Sequence, residues 1–297
     1  MSSHTILVTG GSGQVGGAAV RALVGLGTVI APGRDRLGLA SAESIRAIMR
    51  EVQPRWVVNA AAHTAVDRAE NEPELAFALN ADAPRVIGEE ARKIGAAVIH
   101  FSTDYVFDGS KATPYVESDA TGPLNVYGKS KLAGEQALAQ TGATHFIFRT
   151  SWVYGATGKN FLLSILRMAR EREVLRIVAD QHGAPTWSED LARLTAHVIR
   201  RVDASDAGRV SGVYHAGGSG ETTWFGFASA AAEALKRREP AANLARVEAI
   251  STADYPTPAR RPANSRLNCA KLKRVFGWRM MDWRESLEAV MDELTAK

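Results

Sequence analysis

The stretch TILVTGGSGQVGGAAV, residues 5–20, decides the predicted fold of this 297-residue chain. An apolar run is followed by a glycine-rich turn and by a helical pattern, and Gly10, Gly13 and Gly16 have the spacing G-x-x-G-x-x-G. Glycines with this spacing allow a tight turn and let a pyrophosphate approach the free N–H groups of a helix N-terminus. Because no Lys-Ser or Lys-Thr pair follows the last glycine, we predict a dinucleotide site and not a P-loop.

The first half of the chain alternates between short apolar runs and helical patterns. The runs TILVTG, GTVIAPG, RWVVNAAA, AAVIHFSTD and HFIFRTSWVYG are apolar on both faces, as expected for strands that helices cover on both sides. We therefore predict an α/β fold with a doubly wound parallel sheet of the Rossmann type and a smaller, mostly helical substrate-binding lobe. Residues 1–153 and about 172–217 are assigned to the Rossmann domain, and about 154–171 and 218–297 to the lobe.

Composition and charge exclude several classes of protein. The 36 basic residues are interspersed with 32 acidic ones and not with stacking aromatic side chains, so we expect no nucleic-acid partner. The single cysteine, Cys269, excludes an internal disulfide and a four-thiolate zinc site, and it suits a reducing compartment. The sequence shows no secretory signal pattern and no apolar run near the ~20 residues that span a bilayer. We expect a cytoplasmic protein with no membrane partner, and its amphipathic helices are compatible with a homodimer.

The segment VIAPGRDR, at the end of the second predicted strand, bears on the choice of dinucleotide. An acidic residue at this place usually binds the ribose 2′-hydroxyl of NAD, whereas here Gly33 and Arg34 come first and Asp35 follows. A guanidinium can pair with the 2′-phosphate of NADP. We predict that Arg34 makes NADPH the preferred reductant, with NADH left open as a second one; an exposed loop charge is the alternative interpretation.

Tyr127 and Lys131, in NVYGKSKLAGE, are the first candidate catalytic pair. Their separation of four residues places both side chains on one face of a helix. A nearby ammonium stabilises a phenolate, and a pKa lowered by about two units corresponds to ~2.7 kcal/mol. We expect Lys131 to lower the pKa of Tyr127 and to make that tyrosine a general acid.

Hydroxyl side chains end another predicted strand, in the segment IHFSTDYVFDG. Ser102 and Thr103 lie where that strand ends, and ligands of doubly wound sheets gather beyond the carboxyl ends of the strands. A hydroxyl there can donate a hydrogen bond to a substrate carbonyl. We predict that Thr103 does so, with Ser102 as a second substrate-binding hydroxyl.

The glycine turn, the Ser/Thr strand end and the Tyr-x-x-x-Lys pair together resemble the extended short-chain dehydrogenase/reductase superfamily. The strings VNAAAHTAVDRAE, STDYVFDG, PLNVYGKSKLAGE, FRTSWVYG, DQHGAPT and YPTPARRPANSRL resemble, more narrowly, the dTDP-4-dehydrorhamnose reductase family, and they cover most of the chain. The resemblance implies hydride transfer from NAD(P)H to the 4-keto group of dTDP-4-dehydro-L-rhamnose, in rhamnose biosynthesis.

The same resemblance implies roles for individual residues. Thr103 would hold the keto oxygen, Tyr127 would protonate it, and Lys131 would grip the nicotinamide ribose. The cofactor would also contact Gln14, Val15, Ala60, Ala61 and Ala62. The substrate would contact Val66, Asp104, Tyr105, Val106 and Trp152, although Trp152 could equally be a core residue.

The sequence departs from the family pattern at a possible magnesium ligand, and two other functions are compatible with the same fold. Some members of the family bind magnesium through glutamates of paired subunits, and here Ala18 stands where one of those acids would lie, with Glu189 and Glu293 left as candidates. We therefore predict no metal site. The alternatives are a related nucleotide-sugar epimerase or dehydratase, which recycles its cofactor, and a non-catalytic regulatory subunit of the same fold.

Overall fold

The computed structural model describes residues 4–202 and 207–296 of the chain. Its strands, in chain order, are β1 (Thr5–Thr9), β2 (Thr28–Ile30), β3 (Trp56–Asn59), β4 (Ala97–Thr103), β5 (His145–Thr150), β6 (Val153–Tyr154), β7 (Val174–Val178), β8 (His182–Gly183), β9 (Thr186–Trp187), β10 (Gly212–His215), β11 (Thr222–Thr223) and β12 (Arg246–Ile250). Its α-helices are α1 (Gln14–Ala22), α2 (Ala42–Val52), α3 (Val66–Ala69), α4 (Pro73–Phe77), α5 (Ala83–Ile94), α6 (Val126–Gln140), α7 (Phe161–Glu171), α8 (Ser188–Arg201), α9 (Trp224–Arg238), α10 (Ala270–Phe276) and α11 (Trp283–Thr295). Among the described residues, no helix is both long and apolar enough to cross a membrane.

Six parallel strands form the main sheet, in the order β10-β5-β4-β3-β1-β2. Strands β1, β3, β4 and β5 are buried along almost their whole length because helices cover both faces of the sheet. The doubly wound parallel sheet predicted from the sequence is confirmed. Since all six strands run in one direction, their carboxyl ends lie along one edge, where ligands of such sheets bind.

Successive side chains of each central strand pack into two different apolar clusters. Ile6 and Val8 of β1 lie in the cluster that α1, α8 and α10 complete, and Leu7 lies in the cluster that α2 and α5 complete. The alternation continues through β3, β4, β5 and β10. The two faces of the sheet therefore carry separate helical layers, and α6 belongs to the same layer as α2 and α5 through Leu138.

A third apolar cluster forms the core of the second lobe. Helices α7, α9 and α11 contribute most of its buried side chains, and β7 adds Leu175. Strand β7 pairs in parallel with β12, although residues 172–217, which contain β7, were assigned from the sequence to the Rossmann domain. Strand β10, from the same range, joins the main sheet. The boundaries between the two parts stay a prediction.

The helical pattern from residue 73 to residue 95 is interrupted in the structure. Helix α4 passes through a π-helical segment, Ala78–Asp82, before α5 continues. Within that segment the Asn80 side chain bonds both backbone groups of His63, at 2.8 and 3.0 Å, and donates to the Ser130 hydroxyl at 2.9 Å. The irregular turn thus ties helix α6 to the loop that follows β3, next to the site described below.

Candidate active site

The glycine turn between β1 and α1 has the shape that a dinucleotide requires. Gly10 has a φ of +69°, and its carbonyl accepts a hydrogen bond of 2.8 Å from the Gly13 N–H. A Cβ on Gly16 would lie 2.1 Å from the Gly10 carbonyl oxygen, so no side chain fits there. Gly13 is the N-cap of α1 and has no side chain to occupy the first N–H groups of the helix. These donors and the helix dipole suit a pyrophosphate.

The other cofactor candidates follow strands β1, β2 and β3, and one segment of them lies directly against this turn. The alanine segment 60–62 follows β3, and a Cβ on Gly10 would lie 2.8 Å from the Ala61 nitrogen. Val15 packs against the core cluster. The side chain of Gln14 faces the second lobe, where its Oε1 accepts a hydrogen bond of 3.0 Å from the Asn160 amide. Arg34 is exposed in the loop after β2. All of these positions border the carboxyl edge of the sheet.

Helix α6 carries Tyr127 in its first turn and Lys131 one turn later. The Asn125 side chain caps the helix by accepting a 2.8 Å hydrogen bond from the Gly128 N–H, and it donates another of 2.8 Å to the Arg260 carbonyl. A Cβ on Gly128 would lie 2.2 Å from the Tyr105 carbonyl oxygen. The lack of a side chain at Gly128 therefore lets the start of α6 approach the segment that follows β4.

The electrostatics of Tyr127 differ from the expectation based on sequence. Burial raises its pKa to about 12, a hydrogen bond with the Thr103 side chain opposes that rise, and the charge of Asp104 adds to it. The expectation that Lys131 lowers this pKa is wrong. The Lys131 ammonium instead donates to the Phe101 carbonyl at 2.6 Å and lies 3.2 Å from His100 Nε2.

Lys131 itself is buried among these partners. Burial lowers its pKa to about 8, and the negative charge of Glu135 on the next turn of α6 opposes the shift. Glu135 in turn forms a buried ion pair with Arg149 of β5, with the closest N···O distance at 2.6 Å. The ammonium is therefore fixed between α6 and β4, and it loses its proton far more readily than an exposed lysine.

Thr103 and Asp104 end β4 beside Tyr127. The Thr103 hydroxyl donates to Asp104 Oδ1 at 2.9 Å and accepts from the Tyr105 N–H at 3.2 Å. Burial raises the pKa of Asp104 to about 6, although hydrogen bonds with Ser265 and Thr103 oppose the shift. Ser102 Oγ is buried and has no hydrogen-bond partner among the described residues. The structure thus places the end of β4, which carries Thr103, next to the start of α6, which carries Tyr127.

The other predicted substrate residues are distributed unevenly around this centre. The Tyr105 ring meets the Tyr127 ring edge-on, with centroids 5.7 Å apart, whereas the Val106 side chain is fully buried in a small cluster with Phe107 and Tyr115. Val66 begins the short helix α3. The structure therefore brings Tyr105 next to Tyr127 and places the side chain of Val106 in the core.

Trp152 occupies an unusual backbone conformation just beyond β5. Its φ is +47°, in a region that side-chain-bearing residues rarely adopt. Its ring stacks on Trp224 of α9, with centroids 3.7 Å apart and planes at 15°. Strain of this kind is concentrated at functional sites. Trp152 thus joins the carboxyl edge of the sheet to the second lobe.

A cavity of about 390 Å³ opens beside Trp224 in the second lobe. We call it the arginine pocket, because it combines three cationic and three aromatic side chains: Arg172, Arg176, Arg261, Phe161, Trp224 and Tyr255. Arg261 also forms a 2.7 Å ion pair with Asp67 of α3, next to Val66. None of these six residues was a predicted site residue. They come from separate segments, and only the string YPTPARRPANSRL contains any of them, namely Tyr255 and Arg261.

The acidic candidates for a metal site have other neighbours. Glu189, at the start of α8, forms an ion pair with Arg21 of α1, so its carboxylate charge is already compensated. Within residues 4–202 and 207–296, no group of three or more His, Cys, Asp or Glu side chains could hold a metal ion. The predicted lack of a metal site stays a prediction.

Comparisons with known proteins agree with this geometry. A family model described as the RmlD substrate binding domain matches residues 4–296. The dTDP-4-dehydrorhamnose reductase of Escherichia coli K12 is 47% identical over 97% of each chain, and that of Burkholderia thailandensis is 45% identical over 98% of this chain and 99% of its own. The chain belongs to the dTDP-4-dehydrorhamnose reductase family.

A solved structure of another dTDP-4-dehydrorhamnose reductase extends the comparison to three dimensions. The Bacillus anthracis protein, crystallised in complex with NADP, superimposes with a TM-score of 0.88 at 31% identity and covers 98% of this chain and 99% of its own. Membership of the dTDP-4-dehydrorhamnose reductase family confirms the resemblance on which the sequence analysis relied.

Proposed function

We propose that this chain reduces the 4-keto group of dTDP-4-dehydro-L-rhamnose to give dTDP-L-rhamnose, with NADPH as the reductant. The observation that carries the proposal is the close approach of two segments at the strand edge that also bears the glycine turn. The start of α6, with Tyr127 one helical turn before Lys131, packs against the segment that begins with Thr103. Relatives named dTDP-4-dehydrorhamnose reductase, at 45% and 47% identity, support the same reaction.

Each catalytic candidate has a role that its environment favours. When bound, the nicotinamide supplies the hydride for the carbonyl carbon. Tyr127, with a pKa raised to about 12, holds its proton at neutral pH and can deliver it to the oxygen that becomes an alkoxide. Thr103 holds that oxygen by a hydrogen bond. Lys131 still carries its charge at neutral pH, because its pKa is about 8, and it can bind ribose hydroxyls.

The arginine pocket suits the nucleoside diphosphate part of the substrate. Arg172 and Arg176 are exposed cations that can pair with a pyrophosphate, and Trp224 and Phe161 offer aromatic faces on which a base can stack. Asp67 and Arg261 connect the pocket to the segment around Val66. We propose that the nucleotide lies here while the sugar reaches past Tyr105 to Tyr127.

The direct test measures NADPH oxidation by the purified chain with dTDP-4-dehydrorhamnose, in parallel with the UDP-linked sugar and with NADH. We expect one NADPH to be consumed for each sugar reduced. Turnover without net consumption of NADPH would indicate an epimerase or dehydratase. Cofactor binding without any turnover would indicate a regulatory subunit. Light scattering of the same preparation measures whether the predicted homodimer forms.

Arg34 is our candidate for the preference for NADPH. It is exposed beyond β2, where the segment APGRD places no acidic side chain before it. Arg34→Ala should lower kcat/KM for NADPH by about tenfold and leave the value for NADH unchanged, since a charge-assisted hydrogen bond contributes roughly that much. Arg55→Ala is the matched control, because Arg55 is equally exposed but precedes β3 at the opposite edge of the sheet. An equal fall in kcat/KM with NADPH and with NADH would mean that Arg34 is an exposed loop charge that does not recognise the 2′-phosphate.

A further inference from the structure

Three buried polar side chains form a row across the apolar interior of the main sheet. Thr9, Asn59 and His100 lie on the adjacent strands β1, β3 and β4, and the register pairs Thr9 with Asn59 and Asn59 with His100. Their exposed fractions are 1%, 2% and 0%. By the alternation along each strand they point to the same face as Leu7, which is the face that α6 covers. Polar groups buried this deeply are costly unless they are paired.

Hydrogen bonds connect this row end to end and lead to Lys131. The side-chain amide of Asn59 lies 2.7 Å from the Thr9 hydroxyl and 3.0 Å from His100 Nδ1. The other ring nitrogen of His100 lies 3.2 Å from Lys131 Nζ. At the opposite end, the Thr9 hydroxyl accepts a 3.3 Å hydrogen bond from the Ala61 N–H, beside the glycine turn. One continuous chain therefore joins the proposed cofactor turn to the proposed catalytic lysine.

The charges around His100 keep its ring neutral. Burial lowers its pKa well below the usual value, and the positive charges of Lys131 and His145 lower it further. A neutral imidazole donates from one ring nitrogen and accepts at the other. Since the Lys131 ammonium can only donate, Nε2 accepts from it and the Nδ1–H group donates, which places the amide oxygen of Asn59 at Nδ1 and its NH2 group at the Thr9 hydroxyl. The other groups that face this ammonium are the Phe101 carbonyl, at 2.6 Å, and the Glu135 carboxylate.

We propose that His100 is a positioning residue for Lys131: its neutral ring accepts a hydrogen bond from the ammonium, and Asn59 and Thr9 fix the ring from the strand ends of the cofactor site. The inference rests on the proposed reductase function, in which Lys131 acts as an ammonium. An imidazole that accepts from Nζ favours the charged form of the lysine over the neutral one. Loss of this acceptor should therefore lower the pH above which activity falls.

The first test compares His100→Leu with His100→Gln in kcat, in KM for NADPH and in the pH dependence of kcat. Leucine removes the acceptor, so we expect kcat to fall about tenfold and the basic limb of its profile to move about one pH unit lower. The amide of glutamine can reach the place of Nε2, so His100→Gln should return the limb most of the way to the wild-type position. His215→Leu is the matched control, because His215 of β10 is equally buried in the same sheet.

A loss of thermal stability alone, with the basic limb unmoved in His100→Leu, would overturn the proposal. So would an equal shift of the limb in His215→Leu, or a His100→Gln variant that behaves like His100→Leu. Thr9→Val preserves shape and removes only the far hydroxyl, and it should give a smaller shift of the same sign. If the basic limb does not move in Thr9→Val, Thr9 does not help to fix the His100 ring and that part of the proposal is wrong. This test remains available even if the His100 variants fail to fold.

A second measurement does not depend on turnover. The 15Nζ resonance of Lys131, followed by NMR through its titration in the wild-type chain and in His100→Leu, reports the pKa of the lysine directly. We expect a pKa about one unit lower in the variant, and an unchanged pKa would contradict the inference. If the wild-type chain oxidises no NADPH while this shift is found, the proposed reaction fails and the role of His100 in holding Lys131 stands.

Discussion

The carboxyl edge of the main sheet and the arginine pocket use charge in opposite ways. At the sheet edge, Lys131 and Asp104 are 2% and 3% exposed. Burial lowers the pKa of Lys131 and raises that of Asp104, so it favours the neutral form of each side chain. In the pocket, Arg172 and Arg176 are exposed. Buried ionisable groups cost folding free energy, and solvated ones cost little. The charged groups at the sheet edge therefore lower the stability of the fold, whereas Arg172 and Arg176 of the pocket cost it little.

The largest expected effect separates chemistry from binding at the sheet edge. Tyr127→Phe removes the proposed acid and should lower kcat by roughly 10²–10⁴, the usual contribution of a general acid, with little change in the Kd for NADPH. Steady-state kinetics and cofactor titration measure the two quantities. Tyr214→Phe is the control, because it removes another buried tyrosine hydroxyl from the same sheet and should leave kcat unchanged. A Tyr127→Phe enzyme with near wild-type kcat would contradict the assignment.

Replacement of the buried Lys131 by an apolar residue should raise the free energy of unfolding. Its folded pKa, about 8, lies below its unfolded value, so the stability that this group contributes is complete above about pH 10.5 and is lost as the pH falls through about 8. Lys131→Met should therefore raise the free energy of unfolding at about pH 7 by up to ~3 kcal/mol, while it abolishes activity. Urea denaturation checks the gain, which should shrink toward about pH 10. Lys271→Met, at a half-exposed lysine outside the site, should show no such gain.

Replacement of the buried Asp104 should also raise the free energy of unfolding, but here the gain should grow as the pH rises. Its folded pKa, about 6, lies above the unfolded value, so the stability from this group is complete below about pH 3.8 and is lost as the pH rises through about 6. Asp104→Asn should raise the free energy of unfolding by ~2–3 kcal/mol at about pH 7, and the gain should vanish near about pH 4. Thermal unfolding across this range measures it. A gain that does not vary with pH would mean that the carboxylate is not the cause.

The arginine pocket should show the smallest effect, and one confined to substrate binding. Arg176→Gln, alone or with Arg172→Gln, should raise KM for the nucleotide sugar about tenfold for each arginine, with kcat and stability nearly unchanged. The control Arg246→Gln alters an exposed arginine of β12 that is not part of the pocket. A fall in kcat with an unchanged KM would mean that these arginines act in the chemical step. The pocket and the sheet edge would then not differ in the way proposed here.

The sequence could predict the sheet edge because its chemistry is local. Each of its motifs is a strand followed by a turn or a helix, so Gly10, Thr103 and Tyr127 are recognisable from a few neighbouring residues, and the parallel sheet then brings them together. The arginine pocket is assembled from segments as distant as Phe161 and Arg261, and no local spacing marks them. Sequence patterns show what neighbours in the chain do, and they miss what only the fold brings together.

One other difference has a specific cause. The pKa of Tyr127 was predicted with the wrong sign because spacing along α6 does not show where an ammonium points. In the fold, Lys131 turns to the carbonyl of Phe101, so burial dominates the titration of the tyrosine.

The hydrogen bond between Gln14 and Asn160 has a consequence for the order in which ligands bind. Asn160 caps α7, the helix whose first residue, Phe161, faces the arginine pocket, while Gln14 opens the helix that follows the glycine turn. A dinucleotide seated on that turn would thus act on the same amide that orients α7. Occupancy of either site should then change the affinity of the other by the same factor, because such coupling is reciprocal.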